Sequence, residues 1–257
     1  MEVREIKAKT LLNKSRIADY CINPYVGCEH ACKYCYADYY TRRIYKIDKS
    51  WGEYVYVKTN SPIVLEKDIR RNKVGSVYIS SLTDPYQSLE KKYELTRRIL
   101  ELLIKNNWPV IIQTKSSLIL RDIELIKKGQ DVTVGVTITS LEKEIVEKFE
   151  KLASSVDERI KILKETRENK IKNYLFLGPI IPFTEKEKIE EIVKTTKDFT
   201  DEYYFDKLNI RGFSQDKIKE FLPDGKTIED LEAYFKNVKK WVKEIIEKNK
   251  IKANILF

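Results

Sequence analysis

The sequence predicts an α/β fold on a parallel sheet, and three observations point there. Apolar runs of strand length alternate with amphipathic stretches of helical length along most of the chain. The apolar runs are near-continuous instead of alternating, as in strands covered by helices. The strand-then-helix order recurs six times, which requires parallel strands because each helix carries the chain back for the next strand. A barrel-like sheet and a doubly wound one both satisfy this pattern. In either, the carboxyl ends of the strands face the ligand crevice.

The elements follow in order. A short strand is expected near Ile22, then one over 77–81 and an amphipathic helix over 89–107, with Leu95, Ile99, Leu102 and Leu103 at helical spacing. Strand 110–114, helix 117–128 and strand 132–139 come next, followed by a helix through Glu150 and another over 156–169. Strand 174–181, a helix opening at Thr184 and strand 203–210 complete the series. Helices over 215–221 and 228–248 then form a helical extension of about 214–257. No Pro-, Gly- or Ser-rich linker interrupts the 257 residues, so one domain spanning 1–257 is expected.

Charge and hydropathy exclude several classes. No apolar run approaches the ~18 residues of a membrane span. The opening Met1-Glu2-Val3-Arg4-Glu5 lacks the basic-then-apolar order of a secretory signal, so a cytoplasmic protein is expected. Charged residues make up 35% of the chain, and many are Lys/Glu pairs at helical spacing, a composition that fits a thermophile. The net charge of +9 permits a polyanionic partner without requiring one.

All four cysteines, Cys21, Cys28, Cys32 and Cys35, fall within fifteen positions. In a reducing compartment such a cluster reads as metal binding before disulfides. The loop 21–37 contains a C-x3-C-x2-C array ahead of a helix. Two centres suit it. A structural zinc would draw its fourth ligand from His30 or Cys21, giving a non-catalytic nucleic-acid-binding protein. An iron–sulfur cube would take Cys28, Cys32 and Cys35 and leave one iron open.

This array, with Tyr34 before its last cysteine, resembles the signature of the radical S-adenosylmethionine (SAM) superfamily. The phrase from Asn23 to Ala37, with Thr83-Asp84-Pro85-Tyr86-Gln87, Thr114-Lys115 and Gly178-Pro179-Ile180-Ile181-Pro182, is similar to the branch related to spore photoproduct lyase. The resemblance implies a partial (β/α)6 TIM-like barrel and a [4Fe–4S] cluster on Cys28, Cys32 and Cys35. It further implies SAM on the fourth iron, cleaved to a 5′-deoxyadenosyl radical that abstracts hydrogen, and an electron donor such as ferredoxin or flavodoxin. A monomer is expected. Tyr34, Ser80, Thr83, Asp84, Gln113, Lys115, Thr137, Thr139 and Arg159 are the cofactor-binding candidates. Arg159 suits the SAM carboxylate through its guanidinium fork; the alternative is a surface helix residue.

The lyase has a hydrogen-donating cysteine where this chain has Ser81, whose O–H bond is too strong for the same task. Ser81 is nonetheless carried as a catalytic position, with Tyr34 and Tyr36 matching tyrosines linked to radical relay. Between Lys33 and Lys49, five tyrosines interleave with Arg42, Arg43 and Lys46, which reads first as an amphipathic helix with snorkelling cations and second as a surface that stacks bases and neutralises phosphates. The sequence leaves the substrate unidentified, with DNA or RNA as one candidate and a protein or small molecule as the alternative.

Overall fold

The computed structural model describes residues 1–257. The chain opens with β1 (Glu2–Ile6), β2 (Asn13–Lys14), β3 (Tyr20–Ile22) and β4 (Tyr25–Val26). The cysteine loop leads into α1 (Ala37–Tyr45), and β5 (Tyr54–Lys58), α2 (Ser61–Arg71) and β6 (Val77–Ile79) follow. Next come α3 (Glu90–Tyr93), α4 (Leu95–Lys105), β7 (Val110–Thr114), α5 (Ile123–Ile126) and β8 (Val132–Thr137). The second half contains α6 (Lys143–Glu150), α7 (Val156–Glu168), β9 (Lys172–Ile180), α8 (Lys186–Thr196) and β10 (Glu202–Lys207). It closes with α9 (Gln215–Lys219), α10 (Ile228–Asn249) and β11 (Ala253–Ile255).

The main sheet runs β11-β10-β9-β8-β7-β6-β3-β2, parallel except for β2 at its edge. Its ends do not pair with each other, so the barrel is open. The register aligns Ile22, Ile79, Ile112 and Val134, all fully buried against the covering helices. Alternate residues on these strands, among them Tyr78 and Gln113, therefore point to the opposite face, as does Tyr174 of β9, in register with Gly135. α10 packs Leu231, Tyr234, Phe235, Val238, Val242 and Ile245 inward at spacings of three and four, which is why so long and charged a helix is held in place.

Three expectations are corrected, and one element is added. The helix expected over 89–107 breaks at Glu94, in left-handed conformation (φ 49°). The reason is Glu90: its buried carboxylate turns back to accept the Thr96 and Arg97 N–H groups at 3.0 and 3.2 Å, so a side chain from α3 caps the start of α4. The expected helix 117–128 is a 3₁₀ turn over Ser117–Asp122 followed by α5, with Ser116 accepting from the Leu118 N–H. The C-terminal extension is not wholly helical: β11 pairs in parallel with β10, Tyr203 opposite Ala253, adding a seventh parallel strand. Finally, β1, β5 and β4 form a separate three-stranded sheet that sequence reading missed. No helix is long and apolar enough to cross a membrane.

Candidate functional site

The cysteine loop hangs between β4 and α1 at the carboxyl end of the main sheet. Gly27 starts it with φ +89°, and a Cβ there would lie 2.3 Å from the Tyr54 carbonyl, so only glycine allows the turn. Two tight turns follow, the Ala31 N–H donating to the Cys28 carbonyl at 3.3 Å and the Cys35 N–H to the Cys32 carbonyl at 3.1 Å. The Lys33 N–H donates to the Phe149 carbonyl at 3.0 Å and docks the loop onto the end of α6.

All three loop cysteines are free thiols, Cys28 and Cys32 buried and Cys35 half-buried. Burial pushes all three upward, Cys32 to about 12, and Cys32 and Cys35 each add to the shift at Cys28. Lys115 pulls in the opposite direction on Cys32 and Cys35. Neutral thiols packed this way become thiolates when a cationic centre compensates them. The donor set, three soft sulfurs in a dry loop, fits an iron–sulfur cluster. The fourth ligands considered for zinc are engaged elsewhere. Cys21 lies on β3 with its Sγ 3.1 Å from Ser81 Oγ, and His30 Nδ1 sits 3.4 Å from the Asp84 carboxylate. No three His, Cys, Asp or Glu side chains converge as ligands of a single ion.

The residues after β6 brace this loop. Thr83 Oγ1 donates to the Gly27 carbonyl at 2.6 Å and accepts from Gln87 Nε2 at 3.0 Å, while Gln87 Oε1 accepts the Glu29 N–H at 3.0 Å. Asp84 is buried and spends both oxygens on the protein. Oδ1 accepts from the Tyr86 N–H (2.8 Å) and Thr114 Oγ1 (2.7 Å), and Oδ2 from the Lys115 N–H (2.9 Å). Gln113 accepts from the Tyr78 and Tyr174 hydroxyls at 3.1 and 2.9 Å and donates to Thr137 Oγ1 at 3.0 Å, tying together the four strands β6 to β9.

A second knot centres on Glu150, a residue sequence reading passed over. Its buried carboxylate accepts from Tyr34 OH, from Thr139 Oγ1 at 2.9 Å and from Arg159 Nη1. Arg159 is fully buried, which rules out the surface-helix alternative, and also donates to the Ser154 and Thr137 carbonyls at 2.8 and 3.2 Å. Desolvation would raise the Glu150 carboxyl, but Arg159, Lys115 and the Tyr34 hydroxyl outweigh it and hold the group low. Lys115 Nζ stands 5.6 Å from the centre of the Tyr34 ring. Two polar atoms here are buried without partners: Ser80 Oγ, on a residue with φ +69°, and Arg159 Nη2. Tyr36 and Ser81 meet through a hydrogen bond from the tyrosine hydroxyl to the serine carbonyl, 2.6 Å. Only a signal for buried ion pairs, absent from linear spacing, could have drawn attention to Glu150.

Asp84 gives an acid-stability prediction. Burial would raise its pKa, but His30, the Thr114 hydroxyl and the Lys115 N–H hold it well below the usual carboxylate value. A depressed carboxyl contributes stability above its unfolded pKa and loses it as pH falls toward the folded one. Asp84→Asn is expected to cost about 2 kcal/mol at neutral pH. It should also flatten the loss of stability below about pH 4, read from chemical unfolding at stepped pH. An acid limb as steep as that of the parent would contradict the assignment.

A parallel sheet whose carboxyl mouth holds a loop of three free thiols is the framework of an α/β enzyme built around an inorganic centre. The family model described as the Radical SAM superfamily matches residues 22–196, and the chain belongs to that superfamily of enzymes, which work with a [4Fe–4S] cluster and SAM. Among relatives, an uncharacterized protein of Methanocaldococcus jannaschii is 42% identical over 216 residues, covering 82% of this chain and 80% of its own. An uncharacterized protein of Acidianus two-tailed virus is 29% identical over 215 residues, covering 78% of this chain and 71% of its own. Among solved structures, a spore photoproduct lyase mutant with dinucleoside spore photoproduct has the same fold (TM-score 0.74, 15% identity, 99% of this chain and 81% of that one). Streptococcus suis SuiB bound to S-adenosylmethionine is similar at TM-score 0.62 and 15% identity, covering 91% of this chain and 49% of that one.

Proposed function

We propose that Cys28, Cys32 and Cys35 hold the cluster and that the enzyme acts on a nucleic acid. The observation that supports this reading best is the pairing of three free thiols, two buried and one half-buried, with two unpartnered polar atoms, Ser80 Oγ and Arg159 Nη2, at one mouth of the sheet. With both cofactors bound, the chemistry supplied is reductive cleavage of SAM to a 5′-deoxyadenosyl radical that removes hydrogen from the substrate. The chain's part is placement and exclusion of water.

Thr83, Asp84 and Gln87 hold the loop against the sheet, and Glu150 fixes Tyr34 beside Cys32. Ser80 and Arg159 offer a hydroxyl and one N–H edge to the polar groups of SAM; the rest of the Arg159 fork is already committed to Glu150 and two carbonyls. Lys115, Gln113, Thr137 and Thr139 line the same mouth, with Gln113, Thr137 and Thr139 setting its shape through the bonds already described. Tyr36 closes the loop onto Ser81. A nucleic-acid substrate is supported by α1, which runs directly out of the loop and carries Tyr39, Tyr40, Arg42 and Arg43 on accessible surface. The reacting nucleotide would leave its stack to reach this mouth.

The test is turnover of anaerobically reconstituted protein with dithionite and SAM. 5′-Deoxyadenosine is measured alone and with single-stranded DNA, transfer RNA or a tryptic peptide pool. At least about 10-fold stimulation by a nucleic acid is the expected result. Stimulation by peptides alone would overturn the substrate assignment, and no 5′-deoxyadenosine in any arm would overturn the activity.

A further inference from the structure

Beside the cysteine loop, α1, the segment ahead of α9 and Lys217 of α9 enclose a cleft of about 460 Å³. That volume lies within the range of ligand-binding clefts, ~300–1,000 Å³. Its walls carry three cations, Arg42, Arg43 and Lys217, against one carboxylate, Asp38. Asp38 braces two of them, Lys217 at 3.2 Å and Arg42 at 3.8 Å. Arg43 donates to the Tyr39 hydroxyl at 2.9 Å and pairs with no carboxylate in the cleft. One negative charge cannot balance three positive ones, and a concave surface concentrates the excess.

The cleft also has flat faces. Tyr39 stands on the α1 wall and Phe213 on the other, with Lys217 Nζ 4.4 Å from the centre of the Phe213 ring. Gly212 has φ +81°, and a Cβ there would fall 2.3 Å from the Tyr39 ring, so glycine lets the backbone of one wall lie against the aromatic of the other. Both rings are half-buried, Phe213 also stacking on Phe221; guanidinium groups beside partly exposed rings are the parts a single strand uses. The cleft adjoins the reaction centre, since Asp38 is three residues beyond Cys35 and its N–H reaches the Cys35 carbonyl at 3.4 Å.

We infer that this cleft between α1 and residues 212–217 is a docking site for the phosphate backbone of a single-stranded nucleic acid. It would grip a nucleotide flanking the one presented to the cluster. Arg42, Arg43 and Lys217 take phosphates, and Tyr39 and Phe213 take an adjoining base. The inference rests on the nucleic-acid reading of the enzyme and adds where the strand is held.

The experiment uses reconstituted full-length protein and fluorescein-labelled dT12 and U12, with anisotropy titrations at stepped salt. The Arg42→Gln/Arg43→Gln protein is expected to bind at least 10-fold more weakly. Its plot of log K against log salt should be shallower by about 1.4, the loss of two single-strand phosphate contacts. Lys127→Gln/Lys128→Gln removes the same charge from the opposite end of the sheet and should stay within about twofold of the parent. Phe213→Ala should weaken binding without changing the salt slope. Iron content and circular dichroism of each variant establish that it is folded and loaded.

Parent protein that binds while both double variants weaken equally, or neither does, would overturn the cleft and leave the nucleic-acid reading standing. Parent protein that binds neither oligonucleotide would overturn both. Competition by poly-glutamate as strong as by unlabelled dT12 would show a general anion site and overturn the assignment to nucleic acid.

Discussion

Cys32→Ala is expected to abolish cluster loading and 5′-deoxyadenosine formation while leaving the chain folded. Cys32 is buried in the middle of the array, and its thiol lies within the fields of Lys115, Glu150 and Arg159. Losing an outer partner of a ligating residue already costs ~10–100-fold in metal affinity or activity, so loss of the ligand itself should exceed about 100-fold. Truncating one buried thiol to a methyl group removes little packing, about 1 kcal/mol. Melting temperature should therefore fall by only a few degrees, about 2–4 °C. Cys21→Ala is the control: its sulfur lies 3.1 Å from Ser81 Oγ, just past the end of β6, so it should load iron and sulfide as the parent does. A Cys32→Ala protein with the parent's brown colour and iron content would refute the ligand assignment.

Glu150→Ala is expected to give the largest loss of stability. It strips the partner from a fully buried guanidinium and leaves the Tyr34 and Thr139 hydroxyls without an acceptor. Breaking one side of a buried ion pair costs about 3–5 kcal/mol, because the remaining charge stays buried and uncompensated. For a domain of this size that corresponds to a fall in melting temperature of roughly 6–20 °C. Glu150→Gln, which keeps the volume and one acceptor, should lose less. The double variant Glu150→Met/Arg159→Leu should recover most of the loss, since no charge is left stranded. Calorimetry on the three proteins checks this, and a loss under about 1 kcal/mol for Glu150→Ala would show that the pair is not buried as described.

Tyr34 links the two results. It is separated from Cys32 only by Lys33, and its hydroxyl bonds to Glu150. The carboxylate that stabilises the fold thus also orients the loop that carries the thiols.

Much was legible in linear order. The spacing of Cys28, Cys32 and Cys35 and the strand-like runs at 77–81, 110–114 and 132–139 are local signals, and each strand formed within two residues of its expected end. The phrase Thr83 to Gln87 was conspicuous in sequence, but its task was not. Thr83 and Gln87 reach back more than fifty residues to Gly27 and Glu29, a pairing no local pattern encodes. The helix break at Glu94 was hidden for the same reason, because the Glu90 carboxylate that drives it looks like any solvated glutamate until burial is known.

The sequence by itself determined the alternation of strands and helices, the parallel sheet and the cysteine array, because periodicity and short spacings are written within a few consecutive residues. Only the tertiary structure decided which charges are buried and whom they meet. It placed Arg159 on Glu150, His30 on Asp84 and Cys21 on Ser81, and it set α1 against residues 212–217 to form the cationic cleft. Such pairings depend on chain segments far apart in sequence, and the cost of an uncompensated buried charge selects among them only once the fold has removed the water.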